Sequence, residues 1–274
     1  MYIPKKERPY IGITDFATLE QVERMLDAFR ANRQVGSKRR LHVGVMMSRK
    51  TLYGQPTKWA TVFPKPEMIQ RIFQYTDDPN EDNFCDKMDD VIFCLHYADY
   101  EGTNELYGSL MDAIECCGPY IDALQLDMIW PDPAGIKNAN DFSRKNMEII
   151  LQVGKNALEL AKDNPQEVVE RLRDYEGIIT HVLLDKSMGK GLGMDAQTLL
   201  PFLRAIKENF PKLGLVVAGG LGPKTMHLVE PILVEFPDIS IDAQGRLRPS
   251  ANALDLIDWD MAEKYLVESL KLLK

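Results

Sequence analysis

Short apolar runs rich in Ile, Val and Leu alternate with longer segments of helical period about eight times along the 274-residue chain. That alternation marks βα units, in which each helix crosses back over a parallel sheet. The runs span 8–14, 41–47, 91–97, 121–127, 148–153, 178–185, 213–218 and 239–242. Several are almost continuously hydrophobic, as strands covered on both faces must be. Helical spacing predicts helices over 19–31, 65–75, 102–114, 142–147, 166–175, 196–209, 223–235 and 260–273. In the first of these, Leu19, Val22, Met25, Leu26 and Phe29 fall on one face. Asp15, and Asp258 or Asp260, are expected N-caps of the first and last helices.

Eight such units close into a (β/α)8 TIM barrel or lie open as a doubly wound sheet. An open dinucleotide-binding sheet places GxGxxG after its first strand, whereas this strand ends Ile11-Gly12-Ile13-Thr14-Asp15. The expected fold is therefore one TIM-barrel domain over 1–274, with long connections at 48–64 and 76–90. The second connection is rich in Asp and Glu and reads as a solvated loop.

Thirty-three Lys and Arg against 41 Asp and Glu leave a net charge of −8, which opposes a nucleic-acid partner. A small anion in one local pocket is compatible with that charge. No run of about 20 apolar residues is present and no apolar stretch follows Lys5, Lys6 and Arg8, so neither a membrane span nor a signal peptide is expected. A cytoplasmic location follows as the expectation. Cys85, Cys94, Cys116 and Cys117 lack zinc-type spacing and read as reduced thiols. No metal-binding or cofactor signature is present, and the sequence is silent on oligomeric state.

In a barrel, function gathers where strands end at the C-terminal face. Val216-Val217-Ala218-Gly219-Gly220-Leu221-Gly222 ends a strand in glycines, which let backbone N–H groups approach an anion. After the eighth strand, Gln244-Gly245-Arg246 adds another glycine and a guanidinium. Together these loops are a candidate phosphate site, with Gly219, Gly220, Gly245 and Arg246 as binding residues; two ordinary glycine turns are the alternative. After the sixth strand, Lys186 to Asp195 holds Gly189, Gly191 and Gly193 at alternate positions, a loop able to fold over a ligand. Asp185 is delivered to the mouth by the apolar run His181-Val182-Leu183-Leu184, where desolvation would suit it to act as general acid; a helix cap or loop-organising Asp is the alternative. Period-two geometry puts Gln125 and Asp127 on one face of the fourth strand, and Asp127 could supply a base. His96 is the one histidine near a strand end, with structural and catalytic roles both open. Trp59, Trp130 and the Tyr53 region are candidate aromatic walls, with local packing as the commoner role of aromatics near loops.

These residues resemble phosphoribosylanthranilate isomerase, a (β/α)8 barrel of tryptophan biosynthesis that performs an Amadori rearrangement. Gly12-Ile13-Thr14 looks like the family's Cys-Gly-Ile-Thr, Ser48-Arg49 its Ser-Pro-Arg, and Gln125-Leu126-Asp127 its Gln-Leu-His. Leu183-Leu184-Asp185 with Gly191-Leu192-Gly193 looks like Leu-Leu-Asp and Gly-Thr-Gly, and Ala218-Gly219-Gly220-Leu221 matches Ala-Gly-Gly-Leu. Asp242 to Gly245 loosely resembles Asp-Val-Ser-Ser-Gly. The resemblance implies Asp185 as general acid, Arg49 as the partner of a substrate carboxylate, and Gln125, Gly191 and Gly193 among the substrate-binding residues. Its catalytic first-strand Cys is replaced by Ile11, which cannot relay a proton, so Asp127 becomes the candidate base. The expectation is a diverged acid–base enzyme on a phosphorylated sugar. The alternatives are a non-catalytic phosphate-binding or regulatory barrel, and a lyase or aldolase using Lys186 as an amine.

Overall fold

The computed structural model describes residues 8–74, 88–101, 105–186 and 194–273. Eight parallel strands close in sequence order, from β1 beside β2 to β8 beside β1. They are β1 Tyr10–Thr14, β2 Arg40–Ser48, β3 Val91–Asp99, β4 Ala123–Met128, β5 Glu148–Gly154, β6 His181–Asp185, β7 Gly214–Ala218 and β8 Ser240–Ala243. The TIM barrel read from the alternating pattern is the fold of the chain.

Period two along each strand divides its residues between two environments. Ile11 and Ile13 face outward into the layer shared with the helices, packed with residues such as Val22, Met25, Leu26 and Phe29 of the helix Leu19–Asn32. Tyr10 belongs instead to the interior, with Ile92, Cys94, Ala123, Ile150, Leu183 and Val216. Gly12 shares that interior phase: a Cβ there would stand 2.6 Å from Asp242 Oδ1.

The helices depart from the sequence expectation at several places, and at the first helix and at Pro133–Ser143 a side-chain cap sets the start. Thr18, not Asp15, caps the first helix, in a reciprocal box with Gln21. The helix expected at 142–147 is instead Pro133–Ser143, because Asp132 accepts from the N–H groups of Ala134 and Gly135 while Pro133 supplies a preset φ. It stops at Arg144, which takes the left-handed conformation at φ +56°. The helix expected at 223–235 is broken into a 3-10 turn at Met226–Val229 and a short helix at Glu230–Leu233. Lys155–Leu160 forms a helix that the apolar spacing did not announce. The last helix, Trp259–Leu272, is capped by Asp258.

Cys94 and Cys117 are buried free thiols and Cys116 is half-buried; Cys85 lies outside the described residues. Among the described residues no helix is long and apolar enough to cross a membrane.

Candidate active site

The C-terminal ends of the strands surround a cavity of about 810 Å3. Its wall includes Thr14, Arg49, His96, Gln125, Asp127, Gln152, Asp185, Gly219, Gly220, Asp242, Gln244 and Gly245. Two carboxyls follow from strand register. Asp185, Ala218 and Asp242 lie side by side across β6, β7 and β8, so the two Asp flank one small side chain. Asp242 is buried, and the Thr14 hydroxyl donates to its two oxygens at 3.2 and 3.1 Å. Gly12 leaves the room that its carboxyl occupies. Burial raises the Asp242 pKa to about 6; the positive side of His96 and the Thr14 bond oppose that rise, and the charge of Asp185 adds to it. Asp242 can therefore hold or release a proton near neutrality.

Opposite stands a ring of side chains from β3, β4 and β5. His96 is buried, with Nε2 3.7 Å from Asp127 Oδ2. Gln125 Nε2 lies 3.2 Å from His96 Nδ1 and 2.9 Å from Gln152 Oε1, and Gln152 Nε2 donates to Asp127 Oδ1 at 3.0 Å. Tyr100 donates its hydroxyl to that same oxygen. Desolvation works to lower the His96 pKa, but the Asp127 carboxylate and the charges of Asp242 and Asp15 outweigh it, and the net shift is upward. Among the described residues no group of three or more His, Cys, Asp or Glu is disposed to hold a metal ion.

The glycine-rich wall is set by backbone geometry. Gly219 and Gly220 have φ of +109° and +67°, which L side chains rarely adopt. The loops after β7 and β8 meet: a Cβ on Gly222 would stand 2.8 Å from Arg246 Cβ and 2.9 Å from Arg246 O. The loop after β8 is also latched to the loop after β1. Arg248, buried, bonds Asp15, the carbonyl of Gln244 at 2.8 Å and that of Asp255 at 2.6 Å. Gln244 Nε2 reaches Asp15 Oδ2 at 2.9 Å. Asp15, expected as a helix cap, thus serves as this latch at φ +95°.

The expected residues do not all gather. Asp185, Asp127, Gln125, Arg49, Gly219, Gly220 and Gly245 line the cavity. Arg246 is exposed and does not line it, because its backbone is what packs on Gly222. Gly191 and Gly193 lie outside the described residues. Lys186, the candidate amine, sits over the Phe202 ring with Nζ 3.4 Å from Asp163 Oδ1, and is not part of the cavity wall. Trp59 lines the cavity, stacked on Phe63 at 5.2 Å, whereas Trp130 turns to the Ala157 carbonyl and Tyr53 to Asp112. The Arg49 guanidinium lies over the Tyr53 ring, 5.2 Å from its centroid, with its Nε buried and unpartnered.

Asp242, Gln152 and Tyr100 were not singled out for roles by sequence. Asp242 carried a usable signal, since it ends an apolar strand in the manner of Asp185. Gln152 and Tyr100 carried none, because their part depends on neighbours 25 and 27 residues away.

No protein-family pattern and no curated protein sequence matches the chain. Solved structures share its fold. Orotidine 5'-monophosphate decarboxylase from Methanocaldococcus jannaschii, complexed with inhibitor BMP, superposes with a TM-score of 0.55 at 10% identity, over 98% of this chain and 99% of that one. KGPDC from Streptococcus mutans gives 0.52 at 12% identity, over 97% and 98%. A second structure of that protein, solved as a ligand complex, gives 0.51 at 13%, over 97% and 100%. These structures, and the phase of the first strand, overturn the resemblance to phosphoribosylanthranilate isomerase. Ile11 faces the helices, so it is not a vacated catalytic position; a base there would point away from the cavity. The chain is a (β/α)8 barrel that shares its fold with these structures.

Proposed function

We propose that the protein is an enzyme acting by acid–base chemistry on a small phosphorylated substrate of sugar-phosphate type. The observation that carries this reading is one cavity with opposed chemistries on its walls. On one side stand His96 and Asp127, and on the other the backbone of Gly219, Gly220 and Gly245 follows the strands β7 and β8, beside Asp185 and Asp242. A phosphate held against the glycine loops is attracted by N–H dipoles and needs no cluster of cations, in keeping with the acidic chain. Arg49, which lines the same cavity directly after β2, is a second anchor for an anionic or polar end of the substrate.

In this reading Asp242, protonated near pH 6, donates to an oxygen that develops negative charge. Asp127, hydrogen-bonded to Gln152 and Tyr100, removes a proton as the carboxylate, with His96 beside it. Asp185, at the register of Asp242, keeps that proton in place by its negative charge. Burial of the one carboxyl and hydrogen bonds to the other divide donor from acceptor. The name of one structural neighbour, a decarboxylase of orotidine 5'-monophosphate, is consistent with a phosphorylated substrate.

The test is calorimetric titration with inorganic phosphate and a panel of pentose and hexose phosphates, in the native chain and in Gly219→Val. Binding that is lost in the variant supports the reading. Native protein that binds none of them, or a variant that binds as well as the native chain, refutes it.

A further inference from the structure

The ring of His96, Gln125, Gln152 and Asp127 has a direction that one end dictates. Asp127 Oδ1 takes the N–H of Gln152 at 3.0 Å and the hydroxyl of Tyr100. An ionised carboxylate offers only lone pairs, so Gln152 must present Nε2 to it. Its Oε1 is thereby turned to Gln125, 2.9 Å away, and this fixes Nε2 as the Gln125 atom in contact. That amide nitrogen has two hydrogens: one goes to Gln152 Oε1, the other to His96 Nδ1 at 3.2 Å. Nδ1 must then accept, and the proton of a neutral imidazole is left on Nε2, 3.7 Å from Asp127 Oδ2.

We propose that Gln125 and Gln152 are positioning residues, forming an amide relay that places the His96 proton on Nε2 and couples the protonation of His96 to that of Asp127. Protonating His96 alone sets Nδ1–H against an N–H of Gln125. Both amides must then turn over, which brings Gln152 Oε1 against Asp127 Oδ1. Two acceptors in contact are tolerated only when Asp127 carries a proton between them. The hydrogen-bond directions of the relay favour two states, neutral His96 with ionised Asp127 or both groups protonated, and so work against the charge of Asp127, which pulls the His96 pKa up. Gln125 Oε1 is buried without a partner, which is the orphan acceptor that the first state leaves behind. The charged and titratable groups around His96 are Asp127 of β4, Asp242 of β8, Asp15 after β1 and His42 of β2, with Tyr100 on Asp127. Of these, Asp127 is the one joined to His96 through hydrogen-bonded side chains of the ring.

The proposal concerns the site assigned above, but its test needs no substrate, so the two readings fail separately. Protein carrying 15N-labelled histidine is examined by NMR at pH 8, with His96→Gln identifying the signal that belongs to His96. The expected result is an unprotonated Nδ1 and a protonated Nε2. A protonated Nδ1 in the native chain, as the other tautomer or as imidazolium, overturns the proposal. Gln125→Glu keeps the shape and offers acceptors alone, and is expected to move the proton to Nδ1; an unchanged tautomer overturns it. Should that variant fail to fold, Gln152→Leu cuts the link between Asp127 and Gln125 and is expected to give a mixture of tautomers. A single unchanged tautomer there overturns the coupling.

Discussion

The two ends of the barrel bury the same kinds of side chain and use them in opposite ways. At the N-terminal end Arg40 meets Glu148 through two bonds of 2.6 and 2.9 Å, His181 stands 3.8 Å from the same carboxylate, and Tyr10 stacks on His42 at 4.5 Å. The charges balance in place. Burial there lowers His42 to about 3, helped by the charges of His96, Arg40 and His181. It lowers His181 to about 4, with Glu148 opposing and Arg40 assisting. At the mouth Asp127, Asp242 and Asp15, the last paired with Arg248, act on one histidine and their negative charge reverses the outcome for it: His96 is shifted up, while burial raises Asp242 to about 6. Desolvation is common to both ends. Charge balance and an open cavity separate a sealed plug from a site where protons can move at working pH.

The largest effect expected from breaking this contrast is at the plug. Glu148→Gln leaves the Arg40 guanidinium, 2% exposed, without its ionic partner. Removing one member of a buried pair costs about 3–5 kcal/mol, so urea denaturation should show a loss of that order. Phosphate affinity of the fraction still folded should be unchanged. A loss under about 1 kcal/mol, the range of exposed pairs, would show that the plug is solvated and that the two ends do not differ in the way argued.

At the mouth the same kind of change should have the opposite sign. The Asp242 pKa, raised from 3.8 to about 6 in the fold, means that the native state holds a proton longer than the unfolded chain. Stability therefore falls as pH rises through this window, and the full penalty applies above it. At about 1.4 kcal/mol per pH unit, Asp242→Asn should stabilise the protein by about 2–3 kcal/mol at pH 8, with the gain vanishing near pH 4. The variant should also abolish turnover. Destabilisation at pH 8 would remove Asp242 from the role assigned to it.

Gly219→Ala sharpens the comparison at the glycine wall. A φ of +109° is costly for alanine, by about 1–3 kcal/mol. The expected result is a modest drop in melting temperature together with at least a tenfold rise in the phosphate Kd. Gly214 provides the control at the plug, where a Cβ would stand 2.1 Å from His181 Cδ2. Gly214→Ala should lower stability and leave phosphate affinity intact.

What the sequence disclosed follows the range of the interactions concerned. The barrel was legible because each strand and most of the helices carry their own period, and the place of Asp185 and Asp127 at the mouth was legible because each lies at the end of such a strand. The helix at Pro133–Ser143 was missed where an Asp-Pro cap outranks a weak apolar period. Ile11 was misread because motif letters carry no phase: only the closed barrel shows that Gly12 points inward and Ile11 outward. The relay and the Asp15–Arg248 latch join residues up to 233 apart, a distance at which local patterning is silent.

The smallest effect belongs to His42, and it distinguishes a histidine held for packing from one held for its protons. Both ring nitrogens of His42 are buried without partners, and its face lies on Tyr10. Replacing it by an apolar ring removes no hydrogen bond, so His42→Phe should change stability by no more than about 1 kcal/mol at pH 8. Its folded pKa of about 3, against 6.5 for the exposed ring, means that the unfolded chain binds a proton first as pH falls. The native protein thus loses stability between pH 6.5 and 3, and His42→Phe should flatten that acid limb. A variant that loses several kcal/mol at pH 8, or keeps the same acid limb, would show that His42 is partnered and that the plug holds a second polar network comparable to the one at the mouth.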